Sequence, residues 1–210
     1  MGVVKNIFHH SQNPLADLTG LGYVYNLSQV ALTTTITGVT SFATTTPSFI
    51  VVADAASGMT FIPLYFSYQQ AGTVAGATIS IFMEADNADR YTSGGTAQVA
   101  LNAWVNGTGF PAANLTALPT GVAAFAATGT AIVATDAVGS RLWSPEVGQD
   151  VAPAEGVSNE LVWTPPAGAP EYLSTTATLG ASWLVHAVAG TTGPTFRYSA
   201  KIAVFPTSQL

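Results

Sequence analysis

The chain has 210 residues and a formal net charge of −6, with 8% charged against 48% hydrophobic residues. Its five basic residues are scattered, which argues against direct binding to nucleic acid or to an anionic membrane surface. It has no cysteine, so it forms neither disulfides nor thiolate metal sites. A surface with so few ions costs little to desolvate, so the composition favours packing against copies of itself or a larger assembly.

Residues 1–22 are predicted to form an N-terminal arm, and residues 23–210 a single domain. Three leucines lie between Pro14 and Gly22, a spacing that favours a short helical turn anchoring an otherwise extended segment. Such arms often reach across to a neighbouring subunit. We therefore expect subunit or partner contacts from the apolar side chains of this segment, Ile7, Phe8, Leu15 and Leu18.

From Tyr23 onward apolar residues alternate with polar ones, and Gly, Pro, Asn and Asp separate the runs. This pattern predicts eight or nine short strands. Pro63 lies inside one of them and favours an edge strand or a bulge there. The predicted strands lie at 23–37, 48–53, 60–70, 77–85, 98–104, within 121–138, and at 160–164, 178–188 and 196–205.

Two regions of this pattern carry specific expectations. The last two strands form the clearest pair, joined by a turn-rich connection, and Leu142 and Trp143 are expected in a loop. The Ala- and Thr-rich segment 121–138 predicts a strand pair or a strand with a flanking loop, with a short helix as the alternative. Its Asp136 and weak hydropathy argue against a membrane span.

Short strands at these spacings are typical of an antiparallel β-sandwich. We expect a jelly-roll of eight to nine strands, because such sandwiches combine eight strands with long crossing loops. No internal repeat is visible, which argues against propellers and solenoids.

Glu84, Asp86 and Asp89 form the one dense carboxylate cluster of the sequence. They are weak candidates for a calcium site, because oxygen ligands fall at alternating positions. The EF-hand register fails, since neither its glycine nor its closing glutamate follows. The alternative is a solvated turn in which Asp and Asn cap the backbone and Arg90 pairs with Asp86 or Asp89. We favour this turn, and expect no metal and no other cofactor.

The sequence contains no pattern that predicts catalysis. His9 and His10 are adjacent, so their side chains would point apart in an extended chain. His186 lies on a predicted strand, where we expect an uncharged imidazole, bonded to a neighbouring strand or stacked at a subunit contact. No Gly-x-Ser-x-Gly elbow is present, and nothing brings a nucleophile, a base and an orienting acid together. We therefore predict a non-enzymatic protein.

Tryptophans leave a second interpretation open. If exposed, Trp104, Trp143 and Trp163 could stack on sugar rings, as in lectins. Trp163 and Trp183 fall on predicted strands, which is typical of core or interface positions.

Two segments resemble small virion proteins of tailed phages. One is the hairpin stretch RYTSGGT at 90–96, followed by a strand that ends at Asn102. The other is the end of the chain, SWLVHAVAGTTGPTFRYSAKIAVF. The resemblance implies a β-sandwich or jelly-roll protein that decorates or cements an icosahedral capsid, commonly as a trimer. It carries over no functional residue.

From these observations we expect a trimeric decoration or cement protein on the capsid exterior, made in the host cytoplasm, where cysteine-free chains are at no disadvantage. Its partners would be itself and the major capsid protein or another virion protein, with Ile7, Phe8, Leu15, Leu18 and His186 as contacts. The alternatives are a carbohydrate- or receptor-binding module of a fibre or spike tip and, less favoured, a jelly-roll shell subunit.

Overall fold

The structure is a computed structural model that describes residues 2–29, 31, 33–71, 78–104, 117–126, 131–132, 140–148, 160–166 and 170–210. These residues are mostly β, with short helices near the N-terminus: α1 (Val3–His10) and α2 (Pro14–Gly20), and a 3-10 turn at Thr207–Gln209 near the end. The strands are β1 (Val24–Ser28), β2 (Ile36–Thr37), β3 (Phe49–Ala53), β4 (Met59–Gln70), β5 (Thr78–Asp86), β6 (Tyr91–Ser93), β7 (Thr96–Ala97), β8 (Val99–Asn102), β9 (Val122–Ala126), β10 (Ala131–Ile132), β11 (Ser140–Trp143), β12 (Glu146–Gly148), β13 (Glu160–Trp163), β14 (Leu173–Ser174), β15 (Ala181–Ala189) and β16 (Thr195–Pro206).

The strands form two large antiparallel sheets that pack face to face. The first, here called the β16 sheet, has the order β13-β4-β16-β1-β8, with β14 beside β4 and β2 beside β16. The second, the β15 sheet, has the order β11-β5-β15-β3-β9-β7, with β12 beside β5. A smaller pair joins β6 and β10. The predicted antiparallel β-sandwich is confirmed.

Aromatic side chains from both sheets fill the core. Because side chains alternate along a strand, each strand sends one set inward. Phe49 of the β15 sheet lies 5.9 Å from Phe66 and 4.7 Å from Tyr198, both in the β16 sheet, measured between ring centroids. Its ring also meets Trp183 edge-on at 5.6 Å. Trp183 is fully buried and Trp163 nearly so, which confirms their predicted core positions.

The last two strands do not pair with each other, so that expectation is wrong. β15 pairs with β3 and β5, whereas β16 pairs with β4 and β1. The connection between them therefore crosses from one sheet to the other. Near this crossing the N–H of Gly38 donates to the carbonyl of Pro194, and a Cβ at Gly38 would collide with the backbone of Ala187. Alternation identified the two strands correctly, but it does not specify partners.

Pro63 lies at a bulge in its own strand, one of the two predicted alternatives, and not in an edge strand. Its strand, β4, is flanked by β16 on one side and by β13 and β14 on the other. The ladder between β4 and β16 shifts register between Lys201 and Ile202. On the other side, the described pairs leave residues 62–65 between the β14 and β13 ladders. A residue without an N–H is tolerated at such a break.

The structure corrects the prediction for residues 142–143 and decides between strand and helix in part of the Ala-rich segment 121–138. Leu142 and Trp143 belong to strand β11, which pairs with β5, and not to a loop. In the Ala-rich segment, β9 is a strand paired with β3, not a helix. Residues 127–130 and 133–138 of that segment lie outside the described residues.

Helices α1 and α2 form a layer on the outer face of the β16 sheet. Val4 and Leu18 are fully buried there against Val24, Ile62 and Phe205. The expected helical turn after Pro14 is present, but the rest of the segment is helical and packed, not extended. The N–H of Gly2 also donates to the carbonyl of Leu210, 3.0 Å away. Whether this segment also reaches another subunit stays a prediction.

Candidate interaction surface

An apolar groove lies where α2 meets strand β4 and the proline-rich segment after β13. The side chain of Asn13 accepts a hydrogen bond from the N–H of Ala16, and Pro14 occupies the first helical turn. Both features favour a helix start at this point. The resulting helix buries Leu18 against the outer face of the β16 sheet and leaves Leu15 45% exposed at the groove.

We call this surface the N-terminal groove. Its volume is about 530 Å³. Apolar side chains and prolines dominate the lining, and none of the described lining residues is charged. They are Phe8, Ser11, Gln12, Asn13, Pro14, Leu15, Leu18, Leu64, Thr164, Pro165, Pro166 and Pro170.

Aromatic rings extend the apolar surface beside the groove. Phe8, from the end of α1, meets Tyr172 edge-on with 5.8 Å between ring centroids. Tyr172 is itself exposed at the surface. Few polar groups would have to lose water if another molecule covered this area, so the groove suits an apolar partner.

The residues predicted to make contacts occupy different environments. Ile7 and Phe8 are half-buried and pack against the apolar cluster that contains Val4 and Leu18. Leu15 is exposed. Leu18 and His186 are fully buried inside the subunit. In the described conformation, Phe8 and Leu15 are therefore the predicted residues that line the groove with exposed surface. The proline side of the groove was missed, although the run of Pro165, Pro166 and Pro170 was a visible signal.

The acidic segment is a capped turn. The Arg90 Nε donates to Asp86 Oδ2 at 2.8 Å, and Asp89 Oδ1 accepts from the N–H of Tyr91. Ser182 on β15 holds the turn, accepting from the N–H of Arg90 and donating to the carbonyl of Ala88. The predicted pairing and capping are confirmed. The predicted solvation is wrong for the strand end, because Glu84 and Asp86 are buried by their neighbours in the β15 sheet.

Burial changes the chemistry of these carboxyl groups. It raises the pKa of Glu84, an effect that the charge of Arg141 partly offsets and that of Asp86 reinforces. It also raises the pKa of Asp89, against the backbone hydrogen bond from Tyr91. Among the described residues, no three His, Cys, Asp or Glu side chains converge on a possible metal position.

His186 lies on the outer face of the β15 sheet, opposite Phe82. Phe42 covers the ring at 5.2 Å between centroids. Neither imidazole nitrogen makes a well-formed hydrogen bond within the described structure. Burial lowers the pKa of His186 to about 4, although the backbone of Thr46 favours the charged form. The imidazole is therefore uncharged at neutral pH, as predicted. Of the two predicted alternatives, the bond to a neighbouring strand is not seen among the described residues, and a subunit contact stays a prediction.

His9 and His10 belong to α1, so the extended-chain argument does not apply to them. None of the described helices is long and apolar enough to cross a membrane.

No protein-family model, curated protein or solved structure matches this chain.

Proposed function

We propose that this protein is a non-enzymatic structural protein of a virion, assembled as a trimer that decorates or cements the exterior of a phage head. The observation that carries the proposal is the N-terminal groove, a sizeable apolar surface with no charged residue in its described lining. A groove lined mainly by apolar side chains, with no charge to desolvate in its described lining, suits a contact with another protein surface.

The strand order supports a jelly-roll version of the sandwich. Setting aside the short strands and those of the 87–132 region, eight strand positions remain: β1, β3, β4, β5, β11 with β12, β13, β15 and β16. Their pairing is nested, because the first pairs with the last, the second with the seventh, the third with the sixth and the fourth with the fifth. Such folding of one long hairpin into two sheets is the jelly-roll arrangement, which viral capsid and lectin domains share.

Composition favours the virion role over the other uses of this architecture. The chain carries only 16 charged residues in 210, the sum of 5 basic and 11 acidic ones. Interfaces are depleted in charge at their centres, so a sparse charge distribution leaves wide areas free for symmetric contacts.

A test of assembly is solution mass measured by light scattering. We expect a species of about three times 21.5 kDa. Leu15→Glu should raise the dissociation constant at least about tenfold, because it places a charge in an apolar contact. Leu179→Glu is the matched control, since Leu179 is 46% exposed but does not line the groove. A monomer at high concentration, or equal masses for both variants, would contradict the proposal.

The nested strand order also favours a second candidate, a jelly-roll shell subunit. Electron microscopy of the purified protein distinguishes the two roles. A decoration protein stays as small oligomers on its own, whereas a shell subunit closes into particles.

A further inference from the structure

The outer face of the β16 sheet is divided into two halves. Helices α1 and α2 cover the half that contains Val24, Ile62 and Ala203. Farther along the same strands, the outward positions Ser67 and Gln69 on β4 and Arg197 and Ser199 on β16 are polar, and β13 adds Glu160 next to the exposed Val162. This second half, here called the open polar face, is separate from the N-terminal groove.

Strand pairing arranges the side chains of the open polar face in rows. Glu160 lies opposite Gln69, and Gln69 lies opposite Arg197, so three adjacent strands contribute to one row. Ser67 and Ser199 lie opposite each other in the next row. Neighbouring strands are about 4.8 Å apart, which places these groups within reach of one small ligand.

A shallow pocket of about 290 Å³ lies over these rows, and Ser28 and Gln29 complete its edge. Its serine hydroxyl groups both donate and accept hydrogen bonds, Glu160 accepts, and Arg197 donates. A ligand rich in hydroxyl groups needs this mixture of donors and acceptors, whereas an apolar ligand would leave the groups unsatisfied.

The basic residues of this face have no acidic partner. Within the described structure, neither Arg197 nor Lys201 makes an ion pair or a side-chain hydrogen bond, whereas Arg90 is paired with Asp86. Both lie on the same face of β16, about 13 Å apart from the rise of a strand. Together with Glu160 in the row of Arg197, this face therefore carries two unpaired cations and one carboxylate. A guanidinium fits a carboxylate through two parallel hydrogen bonds.

Tyr65 supplies an aromatic surface beside the pocket. It lies opposite Lys201 in the third row and is partly exposed. Its ring makes no aromatic contact or hydrogen bond with the described residues. A free ring next to hydrogen-bonding groups suits a sugar ring, which has an apolar face and a polar edge. An acidic peptide would use the cations but would not need the hydroxyl-rich floor.

We propose that the open polar face binds a saccharide that carries a carboxylate. Arg197 binds the carboxylate of the saccharide, and Ser67, Ser199 and Glu160 form hydrogen bonds with its hydroxyl groups. One sugar ring packs against Tyr65. This site goes beyond the proposed structural role and does not depend on it.

The test is a titration of the isotope-labelled protein, followed in amide NMR spectra, with sialyllactose, a galacturonic acid trimer and lactose. At least one acidic saccharide should cause saturable shifts at the amides of β16 and β4, and lactose should bind at least about tenfold more weakly, because it lacks the carboxylate. Arg197→Gln should weaken binding of the acidic saccharide by a similar factor. Ser199→Glu should abolish binding by repelling the carboxylate.

Arg141→Gln is the matched control, because Arg141 is exposed in the other sheet. Circular dichroism establishes that each variant is folded before its titration. Saturable shifts at β16 that disappear with Arg197→Gln and persist with Arg141→Gln support the site. The proposal is overturned by no saturable shift with either acidic saccharide, by equal binding of lactose, or by binding that Arg197→Gln leaves unchanged.

Discussion

On the outer face of β15, the ring of His186 has no exposed surface and is covered by Phe42. Burial lowers its pKa from the ordinary 6.5 to about 4. As the pH falls through 6.5, the unfolded chain takes up a proton at this residue, while the folded protein does so only near pH 4. Acid therefore favours the unfolded state in this window. Glu84 and Asp89 act in the opposite direction, because burial raises their pKa values in the folded state.

We expect His186 to lower the free energy of unfolding by about 3 kcal/mol between pH 6.5 and pH 4. Urea denaturation at a series of pH values measures this change. His186→Met removes the titrating group, keeps an adaptable apolar side chain and leaves the acidic residues in place. The difference between the two pH profiles then isolates His186. Parallel profiles would show that the imidazole does not contribute.

At the scale of single elements, α2 presents a buried and an exposed leucine on one short helix. Leu18 is fully buried against the sheet, whereas Leu15 is 45% exposed. Leu18→Ala should lower the free energy of unfolding by about 2–5 kcal/mol, because it removes buried methyl groups and leaves a cavity. Leu15→Ala should lower the free energy of unfolding by no more than about 0.5 kcal/mol, because Leu15 is an exposed side chain. Thermal and urea unfolding of both variants measures the contrast, and equal losses would mean that α2 does not dock as described.

Alternation along the chain predicted most of the long strands, because β3, β4, β5, β15 and β16 each send apolar side chains into one core. It missed the short strands β6, β7, β11, β12 and β14, which contain too few residues for a period to appear. It also could not place the open polar face. That face arises where Glu160, Gln69 and Arg197 meet, and these residues are far apart in sequence and joined only by strand register.

Over the whole molecule, the two sheets are held together through a few large side chains. Phe49 contacts rings in both sheets. Phe49→Ala should therefore lower the free energy of unfolding by about 3–5 kcal/mol, in a single cooperative transition with an unchanged urea dependence. Trp183 lies beside Phe49, so tryptophan fluorescence reports this transition. Leu101→Ala, at an exposed position of edge strand β8, should shift the midpoint little. Separate unfolding of two halves would contradict a shared core.

The central strand of each sheet, β15 and β16, comes after all other strands in the chain. A ribosome therefore makes the flanking strands first, and β4 and β1 wait without the neighbour that lies between them. The β15 sheet therefore lacks its central strand until synthesis has passed Ala189, and the β16 sheet lacks its own until synthesis has passed Pro206. A chain that terminates between Ala189 and Pro206 accordingly leaves the edges of β4 and β1 unpaired, and unpaired strand edges promote aggregation.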